Sequence, residues 1–460
     1  MNEGIFREYD VRGIAETDLT DDVAFNLGRA YGTLMSERGH KTIIAGRDLR
    51  LSSPRLHKSF VDGALKTGLD VLDIGQVTTP IMYFSILHFR CDGGIMITGS
   101  HNPIRFNGFK MNEGMASVYG KDIQTLKKII LKNKFVNGRK GQTKNVSVAN
   151  DYIDMLKGKF DFPKKLKIVV DAGNATAGPI APELWESYGH EVLRLYCEPD
   201  GSFPNHMPDP SKPENLKDLI DRVLKEKADL GLAYDGDADR VGAVDETGRI
   251  IYADTMLAIF AKDVLRKKPG SRIIFDVKCS QALPDVIKEN NGIPYMYKTG
   301  HSLIKAKMKE LKSPFAGEMS GHMFFADDYY GFDDGIYASG RLAQIVSQSG
   351  KKLSAIVDEI PRFESTPEIR IECADEAKFN VVDELVQQFS KEYDTITIDG
   401  ARVQMDGGWG LVRASNTEPT LVLRFEAKTR SRLREIMNTF KEKLSEFPDV
   451  KIEDHLFNIT

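Results

Sequence analysis

Residues 230–240 have the sequence LGLAYDGDADR, an apolar run that leads into a loop carrying three aspartates. The run is short and its composition suits a buried β-strand. In open α/β sheets, ligands bind beyond the carboxyl ends of the strands. This stretch therefore predicts an α/β fold with a ligand site in the loop.

The same arrangement recurs along the chain. An apolar strand that ends on an acid is repeated in IIAGRD (43–48), IVVDAGN (168–174) and IIFDVK (273–278). A glycine-containing polar loop follows each strand further along, namely ITGSHNP (97–103), AYDGDADR (233–240) and AGEMSGH (316–322). The repetition predicts three similar α/β units in series with largely parallel sheets. If these units face one another, the loops meet in one cleft.

Short β-branched runs alternate with helical patterns through these units. The predicted strands include 42–45, 94–97, 167–170, 230–233 and 272–275, and the predicted helices include 53–67, 215–227 and 255–267. The C-terminal part differs, with predicted strands at 369–371, 395–398 and 421–425 and a closing helix at 431–445. We interpret it as a smaller α+β domain. The predicted domains are 1–145, 146–250, 251–362 and 363–460.

Composition limits the possible classes of function. The 460 residues exceed what one hydrophobic core usually holds, and a net charge of -4 leaves no broad basic surface for nucleic acid. Apolar runs are strand-sized, well below the ~20 residues that span a bilayer, and the first residues lack an apolar signal region. The four cysteines form no CxxC pair, which argues against a cysteine zinc site and fits reduced thiols. We expect a cytoplasmic protein that binds neither nucleic acid nor membranes.

The aspartate loop indicates a metal site. Asp235, Asp237 and Asp239 alternate with small residues, and alternating side chains on extended backbone share one face. Three carboxylates this close would repel one another if they were buried without a cation. An EF-hand loop is disfavoured because its required glycine is replaced by Arg240, whereas a solvated acidic turn remains the alternative. We predict a divalent ion, with magnesium favoured if the chemistry involves phosphate.

The loop TGSHNP (98–103) can present the Ser100 hydroxyl into a cleft, with Gly99 allowing a sharp turn and Pro103 ending it. It is not the GxSxG elbow of α/β-hydrolases, and the chain has no GxxxxGK[ST] phosphate loop. Lys110 could supply positive charge or transfer a proton. Taken alone, the loop favours an ordinary polar turn.

Two further loops suit a phosphorylated sugar. Glu318 and Ser320 place an acceptor beside a donor–acceptor group, which suits neighbouring sugar hydroxyls. RASNTEP (413–419) combines an arginine with hydroxyls, an amide and backbone N–H groups, a plausible cradle for a non-reacting phosphate. Each loop alone could also be a polar turn.

Together the four loops TGSHNP, DGDADR, GEMSGH and RASNTEP, in this order, resemble the α-D-phosphohexomutase family, and FREYDVRG (6–13) is similar to its N-terminal signature. The resemblance extends over essentially the whole chain. The form GEMSGH is most similar to the phosphomannomutase/phosphoglucomutase branch. The resemblance implies four domains in a heart-shaped arrangement around one cleft, with one loop contributed by each domain.

The resemblance also implies roles for individual residues. Ser100 would be the phosphoserine and would share its phosphate with Mg²⁺ held by Asp235, Asp237 and Asp239. Arg240 would brace that phosphate, and His101 and Lys110 would lie beside the reacting hydroxyl, with Lys110 favoured for proton transfer. The residues implied to bind substrate are Glu318, Ser320 and His322 at the sugar, Arg413, Ser415, Asn416 and Thr417 at the distal phosphate, and Arg7, Tyr9, Arg12, Lys278 and His301 in supporting positions.

The implied function is an isomerase that interconverts hexose 1-phosphate and hexose 6-phosphate, of mannose, glucose or both, through a hexose 1,6-bisphosphate. We expect a monomer or weak homo-oligomer. A phosphoglucosamine mutase shares the mechanism and is the nearest competing function. A serine or metal-dependent phosphatase and a non-catalytic phosphosugar-binding protein are less favoured, because each leaves at least one loop without a purpose.

Overall fold

The computed structural model describes residues 1–416 and 418–457. In this part of the chain, four sheets follow one another, and the first three alternate with helices as α/β proteins do. The fourth sheet is antiparallel, with two helices packed against it.

The first sheet has the strand order β1-β5-β4-β2-β3-β7, with β6 paired to β5. Its strands are β1 (Val11–Ile14), β2 (Thr42–Arg47), β3 (Asp70–Gln76), β4 (Gly93–Ile97), β5 (Phe106–Glu113), β6 (Ala116–Ser117) and β7 (Thr143–Asn145). The helices of this part are α1 (Asp21–Glu37), α2 (Ser53–Leu65), α3 (Thr79–His88) and α4 (Lys121–Leu131). Thr20 caps α1 and Thr78 caps α3 through their side-chain oxygens, which satisfies backbone N–H groups at the helix starts.

The second sheet has the order β12-β11-β10-β8-β9, and the third has the order β14-β13-β15-β16. The elements of the second part are α5 (Ala149–Lys157), β8 (Lys167–Asp171), α6 (Ala181–Ser187), β9 (Glu191–Leu195), α7 (Lys217–Glu226), β10 (Leu230–Tyr234), β11 (Val241–Asp245) and β12 (Ile250–Ile251). Those of the third are α8 (Ala253–Lys267), β13 (Arg272–Asp276), α9 (Ala282–Glu289), β14 (Ile293–Tyr297), α10 (His301–Leu311), β15 (Phe315–Gly317), β16 (Met323–Phe325), α11 (Gly335–Ser349) and α12 (Leu353–Val357).

The fourth sheet has the order β19-β20-β21-β22-β18-β23, with β17 paired to β22. Its elements are β17 (Glu364–Ser365), β18 (Ile369–Cys373), α13 (Lys378–Glu392), β19 (Asp394–Ile396), β20 (Ala401–Met405), β21 (Gly408–Ala414), β22 (Thr420–Ala427), α14 (Arg430–Leu444) and β23 (Val450–Lys451). Three short 3₁₀ helices, Glu3–Ile5, Pro213–Leu216 and Asp454–Phe457, complete the described elements.

The predicted repetition is present in the sheets. In each of the first three, the strand that precedes an acid (β2, β8 or β13) is parallel to both neighbours. One of those neighbours (β4, β10 or β15) leads into the polar loop and then pairs antiparallel with the next strand. The predicted loops therefore do lie at the carboxyl ends of parallel strands.

The predicted elements are found with small shifts, and two differences have a local cause. The predicted strand 395–398 ends at Ile396, because residues 397–400 turn back toward β20 and Gly400 has a φ of 81°. The predicted helix 215–227 starts two residues later, as α7 at Lys217, because residues Pro213–Leu216 form a 3₁₀ turn of the kind that is common at helix starts.

One hydrophobic core joins residues of the first three sheets, including Ile44, Val170 and Phe275. The fourth sheet and its helices α13 and α14 have a core of their own, around Leu385, Phe425 and Phe440. None of the helices in the described ranges combines the length and the apolar character that crossing a bilayer requires.

Candidate active site

The serine loop is held in a conformation that turns its hydroxyl toward the second domain. Ser100 is buried and has a φ of 47°, a region that non-glycine residues occupy rarely and mostly at functional sites. Its N–H donates to Thr98 Oγ1 at 2.8 Å, and its carbonyl accepts from Arg50 Nη2 at 2.7 Å. The positive φ of the turn is thus at Ser100, and Gly99 permits the turn as expected, through the space that its missing side chain leaves. A Cβ at Gly99 would lie 2.5 Å from the Arg50 guanidinium carbon, so this glycine gives Arg50 room.

The three aspartates converge as predicted, but the backbone that brings them together is a turn and not the expected extended strand. The segment from Asp235 to Asp239 is a turn with Ala238 at a φ of 60°, and the expected extended backbone is absent there. All three carboxylates are fully buried and offer oxygens within 4.8 Å of one another. Asp237 Oδ1 and Asp239 Oδ1 have no hydrogen-bond partner among the described residues. Buried acceptor oxygens without donors fit a hard divalent cation, so the residues suit the predicted metal.

Ser100 lies against this cluster. Its Oγ donates to Asp235 Oδ2 at 2.7 Å and is 3.1 Å from His101 Nδ1. A Cβ at Gly236 would lie 2.4 Å from the Ser100 carbonyl oxygen, so only glycine lets the two loops come this close. Burial and the neighbouring carboxylates of Asp239 and Asp237 raise the pKa of Asp235 well above its usual value.

Lys110 projects from β5 into the same cluster. Its ammonium donates to Asp237 Oδ2 at 2.7 Å and to Asp239 Oδ2 at 2.5 Å. Burial alone would lower the pKa of Lys110, but Asp237 and Asp239 outweigh that effect and raise it above its usual value. Lys110 is therefore protonated in this arrangement, and it donates hydrogen bonds to carboxylates that would hold a metal.

The charge of His101 is set by its surroundings. Burial in the cleft and the nearby Arg240 and Arg12 cations hold the pKa of His101 well below its usual range, which leaves the imidazole neutral. Arg12 itself donates to Asn102 Oδ1 at 2.7 Å and to Asp10 Oδ2 at 2.6 Å. A second cation therefore flanks the serine loop.

The metal loop and the sugar loop are joined directly. Arg240 and His322 form an isolated antiparallel β-bridge, and Arg240 Nε donates to His322 Nε2 at 3.0 Å. Since Nε2 accepts, the proton of a neutral His322 ring is on Nδ1, which lies 3.0 Å from Asp333 Oδ2. His301 stacks on His322 with ring centroids 5.4 Å apart.

Glu318 is oriented by the backbone. Its Oε1 accepts from the N–H of Gly300 at 2.5 Å, and the N–H of Met319 donates to Asp276 Oδ1 at 3.0 Å. Burial raises the pKa of Glu318. Ser320 is half-buried beside it. The predicted acceptor and hydroxyl are thus on one loop at the edge of the third sheet.

Two cations at the boundary of the third and fourth domains are already held by acids of the fourth domain. Arg413 Nε donates to Asp399 Oδ2 at 2.9 Å, and Lys278 Nζ donates to Glu368 Oε2 at 3.0 Å. The pKa of Lys278 is raised, because Glu368 outweighs the opposing effect of burial. The carboxylates fix the direction of both cations. Ser415 is buried beside Arg413, and Thr417, another predicted phosphate ligand, lies outside the described residues.

Tyr9 and Arg7 connect the first domain to the others. The Tyr9 hydroxyl donates to the Thr299 carbonyl at 2.7 Å and accepts from Asn416 Nδ2 at 2.6 Å. Arg7 Nη1 lies 3.4 Å from Asp375 Oδ2 in the fourth domain. These contacts bring the loops of the four domains to one cleft.

Sequence reasoning missed several supporting residues. Asp48 accepts from the N–H of Gly99 at 3.1 Å, and Thr79 Oγ1 donates to Asp237 Oδ2 at 2.5 Å. Lys305 Nζ donates to Asp333 Oδ1 at 3.0 Å, which completes a chain from Lys305 through Asp333 to His322. The strand-ending acid of IIAGRD was a usable signal for Asp48. No sequence signal marks Thr79, Lys305 or Asp333, since their roles depend on packing between domains.

Comparison with known families gives a match for each domain. Residues 3–137, 150–248 and 252–363 match the phosphoglucomutase/phosphomannomutase alpha/beta/alpha domains I, II and III. Residues 368–443 match the C-terminal domain of the same family.

Full-length relatives agree with this. A phosphomannomutase/phosphoglucomutase of Pseudomonas aeruginosa is 47% identical over 441 residues, covering 96% of this chain and 95% of its own length. A phosphoglucomutase of Neisseria gonorrhoeae is 46% identical over 453 residues, covering 97% and 98% of the two chains. The crystal structure of a phosphoglucomutase/phosphomannomutase family protein from Burkholderia thailandensis superposes with a TM-score of 0.91 at 42% identity, covering 97% of this chain and 98% of its own. The chain is thus an enzyme of the phosphoglucomutase/phosphomannomutase family.

Proposed function

We propose that this enzyme interconverts hexose 1-phosphates and hexose 6-phosphates, of mannose, glucose or both, through a phosphorylated Ser100. The observation that carries the proposal is the position of the Ser100 hydroxyl, 2.7 Å from Asp235 and beside a fully buried cluster of three carboxylates. A nucleophile placed against a metal-binding cluster suits phosphoryl transfer, which depends mainly on positioning and charge stabilisation.

In the first step, phospho-Ser100 donates its phosphoryl group to the free hydroxyl of a hexose 1-phosphate. The bond from phosphorus to Ser100 Oγ breaks, a bond to the sugar oxygen forms, and the sugar hydroxyl gives up its proton. The hexose 1,6-bisphosphate then turns end for end, and its other phosphate returns to Ser100. The neutral His101, 3.1 Å from Ser100 Oγ, is placed to accept a proton, and the charged Lys110 is placed to donate one.

Asp235, Asp237 and Asp239 are the residues that would hold Mg²⁺, which when bound would neutralise phosphate charge during transfer. Arg240 would brace the phosphate on Ser100. Glu318, Ser320 and His322 would bind sugar hydroxyls, and His301 would support them. Arg413, Ser415, Asn416 and Thr417 would hold the distal phosphate, with Lys278, Arg7, Tyr9 and Arg12 completing the cleft.

Reorientation of the bisphosphate requires a site that can open. The separate core of the fourth domain supports a proposal that this domain moves away from the other three. We also propose that the enzyme is cytoplasmic and is a monomer or a weak homo-oligomer. Hexose 1,6-bisphosphate would activate it. The domain boundaries would lie near residues 145, 250 and 362.

The test is turnover by the purified protein of mannose 1-phosphate, glucose 1-phosphate and glucosamine 1-phosphate, with magnesium and a trace of glucose 1,6-bisphosphate. Formation of 6-phosphate from either of the first two supports the proposal. Turnover of glucosamine 1-phosphate alone would make the enzyme a phosphoglucosamine mutase. Release of inorganic phosphate would indicate a phosphatase, and binding without turnover a phosphosugar-binding protein.

A further inference from the structure

A cavity of about 530 Å³ lies between the first and third domains, at the end of α10. This helix begins at His301 in the candidate active site and ends at Leu311. Met308 and Lys312, at its far end, line the cavity, and Met115 contributes from the turn between β5 and β6 of the first domain. The volume is in the range of about 300–1,000 Å³ that small-molecule sites occupy.

The cavity wall is basic although the protein as a whole carries a net charge of -4. Lys268, Lys305, Lys309 and Lys312 line it, whereas aspartate and glutamate are absent from the described lining. Lys305 is committed to Asp333 and to the Tyr83 hydroxyl. Lys268 donates to a backbone carbonyl only, and Lys309 and Lys312 form no ion pair within residues 1–416 and 418–457.

Three acids lie next to lining residues in the sequence, but each is paired with a cation outside this set of lysines. Asp327 is paired with Arg341 at 2.9 Å, Asp328 with Lys159 at 3.4 Å, and Glu310 with Lys307 at 2.6 Å. Lys268, Lys309 and Lys312 are therefore left as an uncompensated set of three cations around one concave surface. Ammonium groups of this kind bind phosphate oxygens as point charges.

The same cavity carries an exposed aromatic face. The Tyr330 side chain is half exposed, and its ring lies nearly parallel to the buried Phe332 ring, at an interplanar angle of 8° with centroids 5.9 Å apart. The two rings are therefore parallel and offset, with partial overlap at most, and both residues line the cavity. Stacking of a planar base on such a ring contributes about 1–3 kcal/mol in nucleic-acid sites.

We propose that this cavity binds a nucleotide, with the base on Tyr330 and the phosphates among Lys268, Lys309 and Lys312. A sugar phosphate alone would leave the tyrosine face uncovered, and an uncharged aromatic would leave the lysines uncompensated. The cavity is formed by residues outside the catalytic cleft, with Lys305 the one that also contacts the Asp333–His322 pair. A ligand here would therefore act at a site separate from that of the sugar phosphate.

The test is calorimetric titration of the full-length protein with ADP, adenosine, inorganic phosphate and polyglutamate. We expect saturable binding of ADP, with the other three at least about tenfold weaker, a difference of about 1.4 kcal/mol. The double variant Lys309→Glu/Lys312→Glu should weaken ADP binding at least about tenfold, and Tyr330→Ala should weaken it severalfold. The matched double variant Lys128→Glu/Lys132→Glu, which changes lysines at the end of α4, should bind ADP as the wild type does.

Absence of saturable ADP binding would overturn the proposal, and so would wild-type affinity in the Lys309→Glu/Lys312→Glu protein. Equal affinity for inorganic phosphate or for polyglutamate would overturn the nucleotide assignment. If the double variant melts at a lower temperature than the wild type, the exposed Lys268→Gln variant replaces it, with a severalfold loss of ADP affinity expected and an unchanged affinity overturning the proposal.

Discussion

The hydroxyl of Tyr9 accepts a hydrogen bond from Asn416 Nδ2 at 2.6 Å, which joins the N-terminal segment to the predicted phosphate loop of the fourth domain. The same hydroxyl donates to the Thr299 carbonyl in the third domain at 2.7 Å. One tyrosine oxygen thus links three domains across the cleft. The fourth domain has a core of its own, and it is held against the other three by polar contacts such as these and by a small apolar cluster of Val277 with Trp409 and Leu411.

We expect Tyr9→Phe to raise KM for the hexose phosphate by about thirtyfold, since two hydrogen bonds that order the closed cleft are lost at about 1 kcal/mol each. Steady-state kinetics measure the change. Tyr252→Phe, which alters an exposed tyrosine at the start of α8, is the control. Small-angle scattering of the wild type should show a smaller radius of gyration with substrate than without, and an unchanged radius together with an unchanged KM would argue against domain closure.

Asp333→Asn should lower kcat on the order of 10²-fold, because a small displacement of His322 and Arg240 misaligns the reacting groups. Asp333 is a positioning residue: it contacts His322 and Lys305, and its carboxylate is buried. The KM should change much less than kcat. Asp328→Asn, an exposed carboxylate nearby, should be close to wild type. A raised KM with an unchanged kcat would assign Asp333 to substrate binding.

Removal of divalent metal with a chelator should stop turnover, and Asp237→Asn should raise the magnesium concentration that gives half-maximal activity by tenfold or more, about 1.4 kcal/mol. Asp237 offers an unpartnered buried oxygen, and the Lys110 ammonium outweighs burial to hold the pKa of Asp237 below its usual range. Asp221→Asn, an exposed acid of the same domain, is the control. A magnesium titration that is identical in the Asp237 variant would contradict the metal assignment.

His190 should make the stability of the protein depend on pH. Burial, with Lys165 nearby, lowers the pKa of His190 to about 4 from 6.5, and its Nδ1 accepts from the N–H of Leu166 at 3.0 Å. As the pH falls, the His190 side chain of the unfolded chain therefore takes up a proton before that of the folded protein does. The contribution to the free energy of unfolding is present above pH 6.5 and is lost as the pH falls toward 4, by about 3 kcal/mol in all.

Thermal melting at about pH 7 and about pH 4.5 tests this prediction. The drop in melting temperature on acidification should be smaller in His190→Asn, whose Oδ1 can still accept from Leu166 but does not titrate. His455→Asn, which alters an exposed histidine, should behave as the wild type. An equal drop in the wild type and the His190 variant would show that other groups control acid sensitivity.

Much of the fold could be predicted because local signals and topology agree. The acids that end β2, β8 and β13 marked the repeat, and the loops after β4, β10 and β15 lie where parallel strands place them. The smaller fourth domain was also visible, from the change in pattern after residue 362. The observed bounds of β19 and α7 differ from the predicted ones because of two local turns. One contains Gly400, and the other is the 3₁₀ turn Pro213–Leu216.

The site was predictable at the level of residues and less so at the level of geometry. Asp235, Asp237 and Asp239 converge through a turn with a positive φ at Ala238. The alternation of side chains along extended backbone does not predict such a turn. Arg50 and Asp333 act through contacts between segments far apart in sequence. Such contacts depend on how domains pack, and a single sequence carries no periodicity that reports them.

The proposed mechanism also predicts that Ser100→Ala lowers turnover by at least about 10³-fold with no change in melting temperature, since alanine fits the small, buried position. Ser85→Ala is the matched control, because it alters a buried serine of α3 whose hydroxyl donates to the Ile81 carbonyl, outside the cleft. A Ser100→Ala protein with wild-type turnover would contradict the role of this hydroxyl.

The most direct measurement is to label the enzyme with glucose 1,6-bisphosphate carrying radioactive phosphate, remove the free label, and add unlabelled glucose 1-phosphate or mannose 1-phosphate. A phosphoserine mechanism predicts label on a peptide containing Ser100 before the addition, and label in hexose 1,6-bisphosphate within one turnover after it. Label that never attaches to Ser100, or that leaves it only as inorganic phosphate, would contradict the account.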